Sequence, residues 1–170
     1  VTRPLCVLVG PPGAGKTTIG RALAEAAGVA FRDTDADIEA LAGKPIPEIF
    51  VDSGEEHFRA LEREAVASAL ASHGGVLALG GGAVLADSTR KLLMDHVVVY
   101  LELDLPAALS RVGLGGGRPL LIANPRATLR HLLDQRRPLY EEVADVIVPA
   151  GGTPAEVVAM IREAMRELAT

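Results

Sequence analysis

Short apolar runs alternate along this chain with longer stretches of helical periodicity. Leu5–Val9 is an unbroken apolar run closed by Gly10, as expected of a strand buried on both faces. Ile19, Leu23 and Ala26 follow at helical spacing within Thr18–Ala27, and Gly28 supplies the stop. Val29–Phe31 reads as a short second strand leading into Asp33-Thr34-Asp35. Helices are predicted over Ala36–Leu41, Ile46–Val51 and Glu55–Ala71, and a third strand over Val76–Leu79, which enters Gly80-Gly81-Gly82. A short helix near Ser88–Met94 precedes Val97–Leu101, the most strand-like run of all. Beyond it come helical patterns at Pro106–Val112 and Arg126–Arg136, a last strand at Val146–Val148, and a closing helix striped by Val157, Val158, Ile161, Met165 and Leu168. Apolar strands separated by helices imply a parallel sheet covered on both faces. Gly113–Gly117 is the one low-complexity patch, and it reads as a mobile loop within a single domain spanning 1–170.

Composition narrows the possibilities. The chain has 170 residues, 49% hydrophobic and 23% charged, so it has the makings of a globular core rather than a disordered segment. A formal net charge of −5 argues against a nucleic-acid footprint, and 3% aromatic residues leave few rings for stacking bases. The single cysteine, Cys6, has no partner for an internal disulfide, which fits a reducing compartment. No apolar run approaches the roughly 20 residues that span a bilayer. A glycine-rich motif begins so early, at Gly10, that a cleaved leader is not expected. These features lead us to expect a cytoplasmic protein without membrane or nucleic-acid partners.

Gly10-Pro11-Pro12-Gly13-Ala14-Gly15-Lys16-Thr17 matches G-x-x-x-x-G-K-[ST] between a buried strand and a helix. That context gives the motif its mechanics. Backbone N–H groups freed of side chains wrap a phosphate, and the following helix aims its positive end at the same anion. Gly13, Ala14, Gly15, Lys16, Thr17 and Thr18 are therefore expected on a nucleoside triphosphate, with Lys16 on the β- and γ-phosphates and the Thr17 hydroxyl on Mg²⁺. Asp33, at a strand end beside this loop, is the candidate to hold the metal through water. Asp104 stands late after its strand and reads instead as a helix N-cap.

No N-K-x-D guanine signature occurs, so a kinase of a small acceptor suits the chain better than a GTPase. A nucleotide-dependent switch without an acceptor is the alternative from another class. Acceptor candidates come in clusters: Asp33-Thr34-Asp35, Phe50 with Phe58-Arg59 and Glu62, Gly80-Gly81-Gly82, Arg118-Pro119-Leu120-Leu121, and Arg136-Arg137-Pro138-Leu139-Tyr140. Each has a plain structural reading as well. Phe50 and Phe58 suit a core, Arg59 a solvated helix face, and Glu62 a simple pairing with Arg59 or Arg63. The four histidines show no metal-ligand spacing.

Taken together with the glycine loop, these clusters resemble shikimate kinase over nearly the whole chain. The resemblance implies an α/β, P-loop NTPase-like fold: a parallel sheet of about five strands with helices on both faces, nucleoside-monophosphate-kinase-like, with a substrate-binding segment near 34–62 and a lid near 112–124. It implies a monomer that phosphorylates the 3-hydroxyl of shikimate with MgATP on the route to chorismate. Within it, Arg59 and Arg136 match a carboxylate clamp, Asp35 the residue holding the ring hydroxyls, and Gly81, within the Gly80–Gly82 turn, a backbone donor. Phe50 and Phe58 match the walls of the ring, and Glu62 would fix the Arg59 rotamer. On the nucleotide side, Arg118 matches the lid arginine over the γ-phosphate and Arg111 an arginine lying against adenine. Thr153 falls in the adenine loop, where some members carry a basic residue. The Gly113–Gly117 run is shorter and richer in glycine than many lids, which implies a looser one. A gluconate kinase, whose acceptor is also a polyhydroxylated acid, is the nearest rival reading.

Overall fold

The structure, a computed structural model, describes residues 2–112 and 125–170. Five parallel strands form its sheet in the order β2-β3-β1-β4-β5: β1 (Cys6–Val9), β2 (Phe31–Asp33), β3 (Val76–Ala78), β4 (Val98–Glu102) and β5 (Val146–Pro149). The helices are α1 (Lys16–Ala27), α2 (Thr34–Ala42), α3 (Ile46–Ser72), α4 (Asp87–Leu93), α5 (Leu105–Val112), α6 (Pro125–Val143) and α7 (Pro154–Ala169). A 3₁₀ turn at Ala83–Leu85 joins β3 to α4.

Strand β1 sits at the centre and is wholly buried, which explains why its apolar run has no polar alternation. Its side chains divide between two cores. Cys6 and Leu8 pack with Ile19 and Leu23 of α1, Leu129 of α6 and Ile161 of α7. Val7 and Val9 pack on the other face with Val66 and Leu70 of α3, Leu93 of α4 and Tyr140 of α6. Helix α6 therefore serves both cores, its first half one and its last turns the other. Ile38, Ile49, Phe58 and Ala65 make a third, smaller core between α2 and α3.

Several boundaries differ from the pattern reading, each for a local reason. The second strand is Phe31–Asp33 rather than Val29–Phe31, because Val29 and Ala30 are spent turning out of α1, with Val29 N–H bonded to the Ala24 carbonyl. Asp33 then caps α2, accepting from Asp35 N–H at 2.9 Å, so that helix starts at Thr34 rather than Ala36. The two helices expected at Ile46–Val51 and Glu55–Ala71 are both present as the two arms of α3, separated at Gly54, whose φ of 84° and ψ of 169° are not helical. Helix α6 does not stop at Arg136 but continues through Pro138 to Val143. Pro138 forfeits only one backbone donor, and the buried Tyr140 and Val143 beyond it hold the last turns to the sheet. Asp104 does cap a helix: its carboxylate accepts from Ala107 N–H at 2.9 Å. No helix among the described residues is long and apolar enough to cross a membrane. The lid expected at 112–124, with Arg118, lies outside the described residues apart from Val112 at the end of α5.

Candidate functional site

The carboxyl ends of β1, β3 and β2 open into a cavity of about 260 Å³. Gly13, Gly15, Lys16, Thr17 and Thr18 line one side, and Asp33, Asp35 and Gly81 the other. The loop from Gly10 to Gly15 leaves β1 and turns directly into α1. Gly15 caps that helix at φ 84°, a left-handed backbone that a side chain would disfavour. Lys16 Nζ donates to the carbonyls of Gly10 at 2.7 Å and Pro11 at 3.1 Å, folding the ammonium over the mouth of the loop. The Thr17 hydroxyl donates to Asp33 Oδ2 at 2.9 Å. Two hard oxygen donors thus meet beside the loop, where a divalent cation prefers oxygen ligands and takes the rest from phosphates and water. The two residues fit a Mg²⁺ held in that way. No group of three or more His, Cys, Asp or Glu side chains that could hold a metal ion occurs among the described residues.

Arg111, from α5, crosses to this loop. Its guanidinium donates to the carbonyls of Gly13 at 3.3 Å, Ala14 at 3.4 Å and Ala150 at 2.6 Å, binding the loop to the end of β5. Ala14 itself is buried in the core, and its N–H donates to the Pro11 carbonyl at 3.2 Å. Thr153 serves the fold, since its hydroxyl accepts from Glu156 N–H at 3.2 Å and caps α7.

The acceptor-side residues gather around the turn after β3. A Cβ on Gly80 would come within 2.5 Å of Asp35 Oδ1 and 3.1 Å of Glu62 Oε2. A Cβ on Gly82 would strike the Arg59 guanidinium, and one on Gly81 would lie 3.5 Å from the Arg136 Nη1. At Gly80 and Gly82 a side chain would displace the charged groups packed against the turn. Two carboxylates and two guanidiniums press against one short stretch of backbone. Behind it, Arg59, Glu62 and Gly82 line a second cavity of about 480 Å³ with Glu55, Arg63 and Leu85. Residues assigned to one acceptor are therefore divided between two openings, with the turn as the wall between them.

Charge is arranged with care around this wall. Glu62 is only 3% exposed and accepts from Arg59 Nη1 at 2.8 Å. Burial pushes its carboxyl above the usual range, and the nearby Asp35 adds to that, while Arg59 and Arg136 pull it back. Arg59 also meets Glu55 Oε2 at 3.4 Å. Its guanidinium lies 5.2 Å from the centre of the Phe58 ring, which in turn packs on Phe50 at 4.8 Å. Phe58 belongs to the α2–α3 core, and half-buried Phe50 lies against the same core. Arg136 is 6% exposed. The Nε atoms of both Arg59 and Arg136 are buried without a hydrogen-bond partner among the described residues. Two guanidiniums with orphaned donors thus flank one glycine turn, and such donors are chemically matched to a carboxylate.

A family model described as "Shikimate kinase" matches residues 12–166. The chain belongs to the shikimate kinase family. A shikimate kinase of Salinispora arenicola is 69% identical over 155 residues, covering 91% of this chain and 93% of that relative. Among solved structures, shikimate kinase from Acinetobacter baumannii in complex with shikimate superposes with a TM-score of 0.92 at 38% identity, covering 98% of this chain and 94% of that one. A gluconokinase from Sinorhizobium meliloti shares the fold alone, with a TM-score of 0.61 at 24% identity and coverage of 96% and 92%. The rival reading thus has the architecture on its side but not the degree of likeness.

Two residues around the turn went unassigned in the sequence. The Thr34 hydroxyl, wholly buried, accepts from Gly80 N–H at 3.4 Å, and Tyr140 donates to the Gly81 carbonyl at 2.6 Å. Both lie inside the motifs quoted above. For Tyr140 a signal was present, because it follows Arg136 by four positions and so shares its helix face.

Proposed function

We infer that this member of the shikimate kinase family transfers the γ-phosphoryl group of ATP to the 3-hydroxyl of shikimate, giving ADP and shikimate 3-phosphate on the route to aromatic amino acids. The observation that carries the choice of acceptor is the pair of buried, orphaned guanidinium nitrogens at Arg59 and Arg136, set around a turn that adjoins the phosphate loop. A neutral polyol offers them only uncharged hydroxyl acceptors, whereas the carboxylate of an acid meets them with stronger, charge-assisted bonds.

The roles combine position with the family resemblance. Lys16 exchanges its loop carbonyls for the β- and γ-phosphates, which the N-terminus of α1 also faces. Mg²⁺, held by Thr17 and through water by Asp33, would supply neutralisation of phosphate charge when bound. Asp35 orients the 3-hydroxyl and accepts its proton late in transfer. Arg59 and Arg136 fix the carboxylate end of the ring, with Glu62 holding Arg59 in place. Phe58, packed in the α2–α3 core, and the half-buried Phe50 support the ring's apolar side, and the Gly80–Gly82 backbone closes against it. Arg111 faces the adenine from the loop side; by the family resemblance Thr153 belongs to the adenine loop and Arg118, outside the described residues, is the arginine for the γ-phosphate. Charge neutralisation and positioning are what such a transfer requires, and exclusion of water protects the donor from hydrolysis. The enzyme works as a single-domain cytoplasmic monomer.

An ADP-release assay with shikimate and with gluconate tests the reading. Turnover driven by shikimate and not by gluconate is expected. Equal turnover with gluconate would select the rival kinase, and slow hydrolysis indifferent to both acids would select a nucleotide switch.

A further inference from the structure

The Gly80–Gly82 turn carries no side chain with which to hold its own conformation. Three successive glycines have the freest backbone available to a chain, yet this turn must stay fixed between four charged groups. Ala83 N–H closes on the Gly80 carbonyl and Leu85 N–H on the Gly82 carbonyl, each at 3.1 Å, and the rest of the hold comes from outside. Tyr140 donates its phenol proton to the Gly81 carbonyl at 2.6 Å, which fixes the plane of the peptide between Gly81 and Gly82. From the opposite side, the Thr34 hydroxyl accepts from Gly80 N–H. Tyr140 is itself anchored, being 1% exposed and stacked on Tyr100 of β4 with ring centres 5.0 Å apart. The Arg136 guanidinium lies beside the same phenol oxygen and beside Gly81. One hydroxyl thus joins the sheet, the glycine turn and one of the two orphaned arginines.

We propose that Tyr140, opposed by Thr34, is a positioning residue for the acceptor: its phenol sets the Gly81 peptide and the Arg136 guanidinium in the orientation that receives the acid. The phenol donates over the whole working range of pH, since burial pushes its pKa up to about 12. The proposal rests on the shikimate kinase reading and adds to it a residue that touches neither substrate.

Steady-state kinetics of the full chain provide the test, with Tyr140→Phe as the variant because it keeps the ring and its stack on Tyr100. Loss of one buried hydrogen bond predicts a rise in the shikimate KM of roughly threefold to tenfold, with the ATP KM changed by less than about twofold. A lowered Tm with an unchanged shikimate KM, or a parallel rise in both KM values, would overturn it. Should Tyr140→Phe yield no folded protein, Thr34→Val removes the opposing hydroxyl at nearly constant volume and carries the same expected split. An unchanged shikimate KM there likewise overturns the proposal. Wild-type enzyme measured alongside separates the two claims, because failure to turn over shikimate at all would defeat the functional reading and not this one.

Discussion

The two halves of the site are built in opposite ways. The phosphate-binding half is one continuous stretch: β1 buried on both faces, a glycine loop, and α1, all contiguous in sequence and locked into the largest core. The acceptor half is assembled from four distant places, the start of α2, the middle of α3, the turn after β3 and the far end of α6. A contiguous site needs only local backbone geometry to be correct, whereas a dispersed one depends on the packing of every element that feeds it. The first half should therefore tolerate damage to the second, and selective loss is the way to break this contrast.

Asp35→Asn gives the largest expected effect. Removing the proton acceptor beside the glycine turn should lower kcat by about a hundredfold or more while ATP binding, measured by nucleotide titration, stays within about twofold. Near-normal turnover would remove Asp35 from the chemistry. Arg136→Ala comes next. A charged hydrogen-bond partner is worth about 1.5–3 kcal/mol, so the shikimate KM should rise roughly tenfold to more than a hundredfold with the ATP KM unmoved. An unchanged shikimate KM would contradict the clamp.

The contiguous half was readable from the sequence alone, because eight consecutive positions, Gly10 to Thr17, carry both its geometry and its chemistry. The inner strands β1, β3 and β4 and most helices were legible for a similar reason, since strands buried on two faces write themselves as unbroken apolar runs. Arg59, Glu62 and Phe58 each had a dull alternative as surface or core residues. The structure shows why that ambiguity was real: Phe58 is a core residue, and Glu62 does pair with Arg59. Only the resemblance to a known family joined them into one site. The break at Gly54 was legible, because the helical pattern leaves residues 52–54 outside both predicted helices. The extension of α6 past Pro138 was opaque, since tertiary packing of Tyr140 and Val143 outweighs the local penalty of proline.

Two smaller effects sharpen the contrast. Glu62 titrates above its ordinary value of 4.5 because burial disfavours its charge. In the window between that value and its raised one, the folded protein keeps a proton that the unfolded chain has released. Its contribution to stability is therefore fully present below 4.5 and falls as pH rises through the window. Glu62→Gln should remove that slope from a plot of Tm against pH, and an unaltered slope would assign it elsewhere. Smallest is Thr153→Ala, which deletes the cap of α7. It should cost about 1 kcal/mol of stability by denaturant titration and leave the ATP KM nearly unchanged, whereas a marked rise in that KM would make Thr153 a nucleotide contact.

The most direct test of the account is a crystal structure with shikimate and ADP bound. It should place the shikimate carboxylate within charge-assisted hydrogen-bonding distance of the guanidiniums of both Arg59 and Arg136, with the 3-hydroxyl at Asp35 and turned toward the phosphate loop. A bound acid whose carboxylate met neither arginine would contradict the central claim.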